Sequence, residues 1–172
     1  PSGYDGKAPV GCVATTLGQI MKYHNFPAKG VGSHTYSHGT FGTLSASFET
    51  NYNFLYMLNT PTSSNYLPIA TLLYHAGVAV EMNYGASAIG AFNASVLLAL
   101  CKYFNYDTKT INLAYKSDYT DASWQALLIS ELNAKRPLYY SGYDPEGGHA
   151  WVCDGYQTIG AETKFRMNWG WS

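Results

Sequence analysis

At Lys135-Arg136-Pro137 the apolar pattern of this chain changes period, and that change limits the folds open to it more than any other feature. Upstream, hydrophobic residues recur at three- and four-residue spacing. Downstream they come in short alternating runs broken by Gly, Asp and Pro turns. Val13, Leu17, Ile20 and Met21 share one helical face with His24, and a helix is expected to end near His24-Asn25-Phe26-Pro27, where proline stops it. Phe48 to Leu58 is a short helix candidate. Asn65 to Ala76 carries Leu67, Ala70, Leu73 and Tyr74 ahead of Gly77, and Phe92 to Phe104 crowds Val96, Leu97, Ala99, Leu100, Tyr103 and Phe104 on one side. Asp121 or Ser123 is expected to cap a helix running through Trp124, Leu127, Leu128, Glu131 and Leu132. Val78 to Met82 alternates like a strand, and the Gly/Ser/Thr-rich stretch from Pro27 to Ser47 reads as polar loop. Past Pro137, Leu138-Tyr139-Tyr140, His149 to Cys153 and Lys164 to Trp169 read as strands. Helices followed by strands make an α+β fold: a helical N-terminal lobe over about residues 1–135 and an antiparallel β C-terminal lobe over about 136–172.

The chain's 172 residues suffice for one domain with a real core. Charged residues are only 12% and the net charge is -1, so nucleic acid and anionic membrane surfaces are excluded as expected partners, there being no basic run to neutralise phosphates. No stretch has the length of a transmembrane helix, and none of the 172 residues shown reads as a signal peptide. The chain begins Pro1-Ser2-Gly3 and so reads as a processed or recombinant form. Its Tyr and Trp content, 16 and 4 residues, suits either a well-filled core or an apolar groove that also forms hydrogen bonds. Three cysteines, Cys12, Cys101 and Cys153, exclude a complete disulfide framework. A Cys101 to Cys153 bridge stays open arithmetically. Two reduced, buried thiols are favoured, because one lies in a helix-like run and the other in a strand-like run.

Cys12 carries the most chemistry. Ala8-Pro9-Val10-Gly11 leads into it as a loop, and the apolar periodicity begins at Val13, so the sulfur sits at a helix start. The positive end of a helix macrodipole stabilises thiolate over thiol, and thiolate is the nucleophile. Most free cysteines are instead small buried hydrophobes, so position alone does not assign catalysis. A base is offered by Gly147-Gly148-His149, where paired glycines open the backbone just before an imidazole at a strand edge. Alternation places His149, Trp151 and Cys153 on one face and Ala150, Val152 and Asp154 on the other. His24, His34, His38 and His75 are better read as capping, surface or core residues. A third feature is Met167-Asn168-Trp169-Gly170-Trp171. An Asn amide can accept one ring N–H of a catalytic histidine, and a neighbouring indole can shield that bond from water.

The blocks Ala8-Pro9-Val10-Gly11-Cys12-Val13-Ala14-Thr15, Gln19 to Pro27, Gly147-Gly148-His149-Ala150 and Asn168-Trp169-Gly170-Trp171 resemble, in order, the streptopain family of secreted bacterial cysteine peptidases. The better-known papain cysteine signature is absent. The resemblance implies a papain-like two-lobed fold and hydrolysis of peptide bonds through an acyl-enzyme, with Cys12 as nucleophile, His149 as base and then acid, and Asn168 with Trp169 as orienting and shielding groups. The backbone N–H of Cys12 is the expected oxyanion donor; where members of the family can carry a glutamine as a further donor this chain has Ser141, whose hydroxyl either takes that role or leaves it unfilled, and Ser87 and Gly148 are the expected substrate contacts. Ser87 lies in Tyr84-Gly85-Ala86-Ser87-Ala88-Ile89-Gly90, whose small residues let a ligand approach the backbone. The resemblance further implies protein or peptide substrates, no metal or organic cofactor, an inhibitory propeptide, and a place outside the cell or at its envelope. The family continues past Gly170-Trp171-Ser172 with further strands, so the sheet is expected to be incomplete here. Two other readings stay open: a thiol amidase acting on cell-wall or isopeptide bonds, and a catalytically idle papain-like peptide-binding module.

Overall fold

Helix α1, Cys12–His24, is the central element, and its ends are set by backbone conformations that its flanking residues tolerate. Gly11 precedes it at φ 89, a region open to glycine, and its carbonyl accepts from the backbone N and the Oγ1 of Thr15, at 3.1 and 3.0 Å. Asn25 closes it in the left-handed region, with N–H groups of Asn25 and Phe26 returning to the carbonyls of Lys22 and Met21. In a computed structural model, residues 8–85, 91, 93–145 and 147–170 are described. Among them α1 is buried on most sides: Ala14, Leu17 and Met21 are fully enclosed.

One side of α1 packs on α2, Leu67–Ala79, where Gly18 lets the Leu73 side chain approach to 2.5 Å from the point a Cβ would occupy. The other side faces a three-stranded antiparallel sheet, β3 (Leu138–Asp144), β4 (Gly147–Ile159) and β5 (Glu162–Asn168), with β4 in the middle. Ala150 of β4 joins the core made by α1, α2 and α3, Asn93–Tyr103. A second, two-stranded sheet, β1 (Ser33–His38) with β2 (Gly42–Ser47), flanks α2. Helix α4, Asp121–Asn133, lies against the three-stranded sheet, and α3 and α4 are joined by an irregular segment holding a short 3-10 turn, Lys116–Asp118. The α+β expectation holds, with helices first and the larger sheet last. No helix among the described residues is long and apolar enough to cross a membrane.

The local departures have physical causes. The stretch to Ser47 is not all loop but holds the β1–β2 hairpin. Its mostly polar strands reach the core only through Ala46, Leu44 and Tyr36, and side-chain-to-backbone bonds add to that contact: Tyr36 OH donates to the Met82 carbonyl at 2.7 Å, Tyr74 OH to the Ser45 carbonyl at 3.1 Å, and His38 Nδ1 accepts the N–H groups of Thr40 and Phe41 at the turn. Val78 to Met82 is not a strand. Helix α2 runs on to Ala79, and the chain reverses at Glu81, φ 51, with Met82 N–H bonded to the Gly77 carbonyl. Val78, Val80 and Met82 are all buried, and a helix end enclosed on every side loses the amphipathic pattern that would identify it. Phe48 to Leu58 forms only one 3-10 turn, Phe54–Tyr56, because its buried anchors Phe48, Tyr52, Phe54 and Met57 are irregularly spaced. The cap of α4 is Thr120, whose Oγ1 accepts from Ser123 N at 3.2 Å, rather than Asp121 or Ser123.

Candidate active site

Cys12 is the first residue of α1, half-buried, and its carbonyl already accepts the Thr16 hydroxyl at 2.8 Å. Its N–H belongs to the first helical turn, whose N–H groups find no partner within the helix. The sulfur is therefore fixed at the mouth of the helix, as the sequence predicted. His149 stands near the start of β4, opposite Gly142 of β3, and is likewise half-buried. Cys12 and His149 line one cavity of about 820 Å3, together with Gly148 and Ser141. The cavity thus opens between the start of α1 and the β3–β4 hairpin. Tyr139 joins its lining from β3, and its hydroxyl is held protonated well above the ordinary phenol range, first by burial and then by the charge of Cys12.

The orienting contact of the imidazole differs from expectation. Nε2 of His149 lies 3.1 Å from the backbone carbonyl of Trp169. A carbonyl only accepts, so Nε2 carries the proton, and Nδ1 is the ring nitrogen placed to exchange one with a thiol. The side chain of Asn168, expected to accept the ring N–H, instead takes the Gly170 N–H on Oδ1 at 3.1 Å. Asn168 thus shapes the turn that presents the Trp169 carbonyl. Gly170, at φ 72, packs so closely on α1 that a Cβ there would lie 3.1 Å from Thr15 Cγ2. The acceptor for His149 is pinned to α1 one turn beyond Cys12. The Trp169 ring stacks on the imidazole at 5.8 Å and 23°, and the residue is 44% exposed, so it covers the ring from the solvent side. Ser87 lies outside the described residues.

The sequence pattern of the peptidase C10 family matches residues 1–172. The chain belongs to that family. Among C10-related proteins, streptopain of Streptococcus pyogenes is 34% identical over 176 aligned residues, which take in 95% of this chain and 43% of streptopain. The thiol protease/hemagglutinin PrtT of Porphyromonas gingivalis is 34% identical over 99% of this chain and 20% of its own length. This C10 chain therefore spans less than half the length of either relative. Interpain A of Prevotella intermedia, a cysteine protease, superposes with a TM-score of 0.83 at 32% identity, covering 99% of this chain and 74% of interpain A. A fragment of prointerpain A superposes with a TM-score of 0.85 at 34% identity, covering 99% of this chain and 56% of that fragment. The fold of this C10 member is accordingly the papain-like α+β fold.

Several lining residues of the C10 cleft were not singled out from the sequence. Tyr140, Trp124 and Lys116 come from β3, α4 and the irregular segment before α4. No local motif marks them, because their proximity exists only once α4 has folded back on the sheet. Trp151 did carry a signal, since strand alternation sets it on the same face as His149.

Proposed function

We propose that this chain is the catalytic domain of a cysteine endopeptidase in which Cys12 attacks a peptide carbonyl and His149 moves the proton. The observation that carries the reading is a helix-start thiol and an imidazole, anchored through Nε2, lining one cleft large enough for a peptide segment. Nδ1 of His149 takes the thiol proton. The thiolate adds to the carbonyl carbon, and the tetrahedral oxyanion is met by the Cys12 backbone N–H. Nδ1 then gives its proton to the leaving amine. In the second half His149 deprotonates water, which attacks the thioester and restores Cys12.

Trp169 serves through its carbonyl, which holds the ring, and through its indole, which keeps water off that bond. Asn168 serves indirectly, by shaping the turn. Gly148, on the cleft wall, lets a substrate backbone lie close to the strand. Ser141 is the second candidate oxyanion donor; a fall of about 10²-fold in kcat for Ser141→Ala marks that role, and an unchanged kcat leaves the oxyanion to the helix start. Substrates are proteins or peptides. Export from a bacterial cell and synthesis with an inhibitory propeptide are part of the proposal, supported by the family membership and by the existence of a proenzyme form of interpain A. The reading is tested by hydrolysis of a mixed peptide library: wild type cleaves internal peptide bonds, and Cys12→Ala cleaves none. Hydrolysis of amide bonds in cell-wall fragments, releasing amine and carboxylate, with no cleavage of the peptide library would contradict it.

A further inference from the structure

The part of the cleft wall built by β3, α4 and the segment before α4 is rich in hydrogen-bond donors and carries no anion. Among the described residues that line the cleft there is no Asp or Glu, and Lys116 is the one with a permanent positive charge. Its ammonium has three N–H donors and directs one to Asp121 Oδ1, 2.6 Å away. Asp121 is 98% exposed and Lys116 47%, so water and salt screen the pair and a ligand can compete for the cation. Neither Asp121 nor the neighbouring Asp118 lines the cleft. Tyr140 supplies a second donor. Its oxygen accepts Trp124 Nε1–H at 3.0 Å, and its own O–H proton meets no acceptor among the described residues. The Trp124 ring contacts that of Tyr140 at 6.0 Å and 70°, and that of Tyr119 at 5.4 Å. Tyr119 closes the turn that carries Lys116, its N–H bonding to the Lys116 carbonyl at 3.1 Å. The ammonium and the phenol are therefore both tied to one indole, which itself lines the cleft.

We propose that Lys116, Tyr140 and Trp124 form a subsite for a substrate carboxylate, so that the cleft favours an acidic group near the bond it cuts. This rests on the reading of the cleft as a peptidase site. A carboxylate only accepts hydrogen bonds, so a cation and a phenol with no acceptor beside them suit it. The amide of Gln brings N–H groups that no acceptor there meets, and a Lys side chain meets a like charge. The indole offers an apolar face to the methylenes that carry the carboxylate. An Asp or Glu side chain and a peptide C-terminus present the same chemistry to these three residues.

The test uses N-acetylated, C-amidated peptides built on one cleaved sequence, with Gln, Glu or Lys placed in turn at each position flanking the scissile bond. It reads the ratio of kcat/KM for Glu over Gln within each variant, so a general loss of activity cancels. Wild type is expected to favour Glu at one position by roughly three- to tenfold, the range of a charge-assisted hydrogen bond partly open to solvent, and to disfavour Lys there. Lys116→Met, which keeps the length of the side chain and removes its charge, erases the preference. Tyr140→Phe lowers it in part, and Asp121→Asn, which frees the ammonium, raises it. Raising NaCl to about 0.5 M lowers it by screening. Gln peptides with a free C-terminus separate the two sources: a preference for these alone, lost in Lys116→Met, assigns the subsite to a chain end. The proposal is overturned if no carboxylate is favoured over its amide, or if the preference persists undiminished in Lys116→Met. Titration of the same peptides into Cys12→Ala reads the same ratio as Kd without turnover. Failure of the peptidase reading looks different, because wild type then cuts none of the peptides while the binding ratio still decides the subsite.

Discussion

The three thiols of this chain occupy different surroundings, and their chemistry should separate accordingly. Burial pushes the Cys153 thiol up to about 11, and burial together with the nearby Asp107 raises that of Cys101. Both are therefore thiols rather than thiolates in mildly acidic solution, whereas Cys12 sits at a helix start in the cleft that His149 also lines. Brief treatment with a small haloacetamide at about pH 6 should modify Cys12 alone by peptide mapping, and His149→Ala should slow that reaction. Equal labelling of Cys153 would contradict the assignment. Asn168→Ala should be much milder than His149→Ala, because it removes one turn hydrogen bond worth about 1 kcal/mol rather than the base, and kcat should fall roughly fivefold with the acyl-enzyme still formed. At this scale the nucleophile and base were legible, since a helix start and a glycine-flanked strand edge are written in local sequence. The acceptor for His149 was not, because every residue carries a carbonyl and only the folded turn at Gly170 selects the one on Trp169.

The elements were legible where one face is apolar and the other wet, as for α1 and the strands after Pro137. They were not where strands carry few apolar residues, as in the β1–β2 hairpin with Tyr36, Leu44 and Ala46, or where a helix end is enclosed, as at Val78 to Met82. The junction between α1 and the hairpin shows how tightly the elements are set. A Cβ on Gly30 would lie 2.6 Å from the Phe48 carbonyl oxygen and 2.8 Å from that of Tyr103, both backbone atoms that cannot swing away. Gly30→Ala should therefore destabilise by about 1–3 kcal/mol, read as a lowered Tm. Thr120→Ala, which removes the α4 cap, should cost about 1 kcal/mol in the same assay. A Gly30→Ala protein as stable as wild type would mean that the junction is looser than these distances require.

Across the whole molecule, α1 lies between the helical part and the larger sheet, so the core is continuous with the site. That core holds a buried imidazole, His75, whose Nδ1 shares a hydrogen bond of 2.9 Å with the Tyr52 hydroxyl. Burial holds His75 below its ordinary value of 6.5. As pH falls through that value the unfolded chain binds the proton first, so the folded state loses stability below about pH 6.5, by at most about 1.4 kcal/mol per pH unit. His24, also lowered by burial, adds to the same slope. Tm should fall between pH 7 and pH 5, and His75→Gln, whose amide can donate to or accept from Tyr52 without titrating, should flatten the fall. The helix-then-sheet order could be read from the change of period at Pro137. The seating of α1 against α2 and against the end of β5 could not, because it depends on close approaches at Gly18 and Gly170 that have no local signature. The most direct measurement is the intact mass of the protein after brief exposure to a peptidyl epoxide at about pH 6, well below the ordinary thiol range. A single addition mapped to Cys12 and absent in Cys12→Ala is predicted; no addition, or addition at Cys101 or Cys153, would contradict a thiol peptidase site at the head of α1.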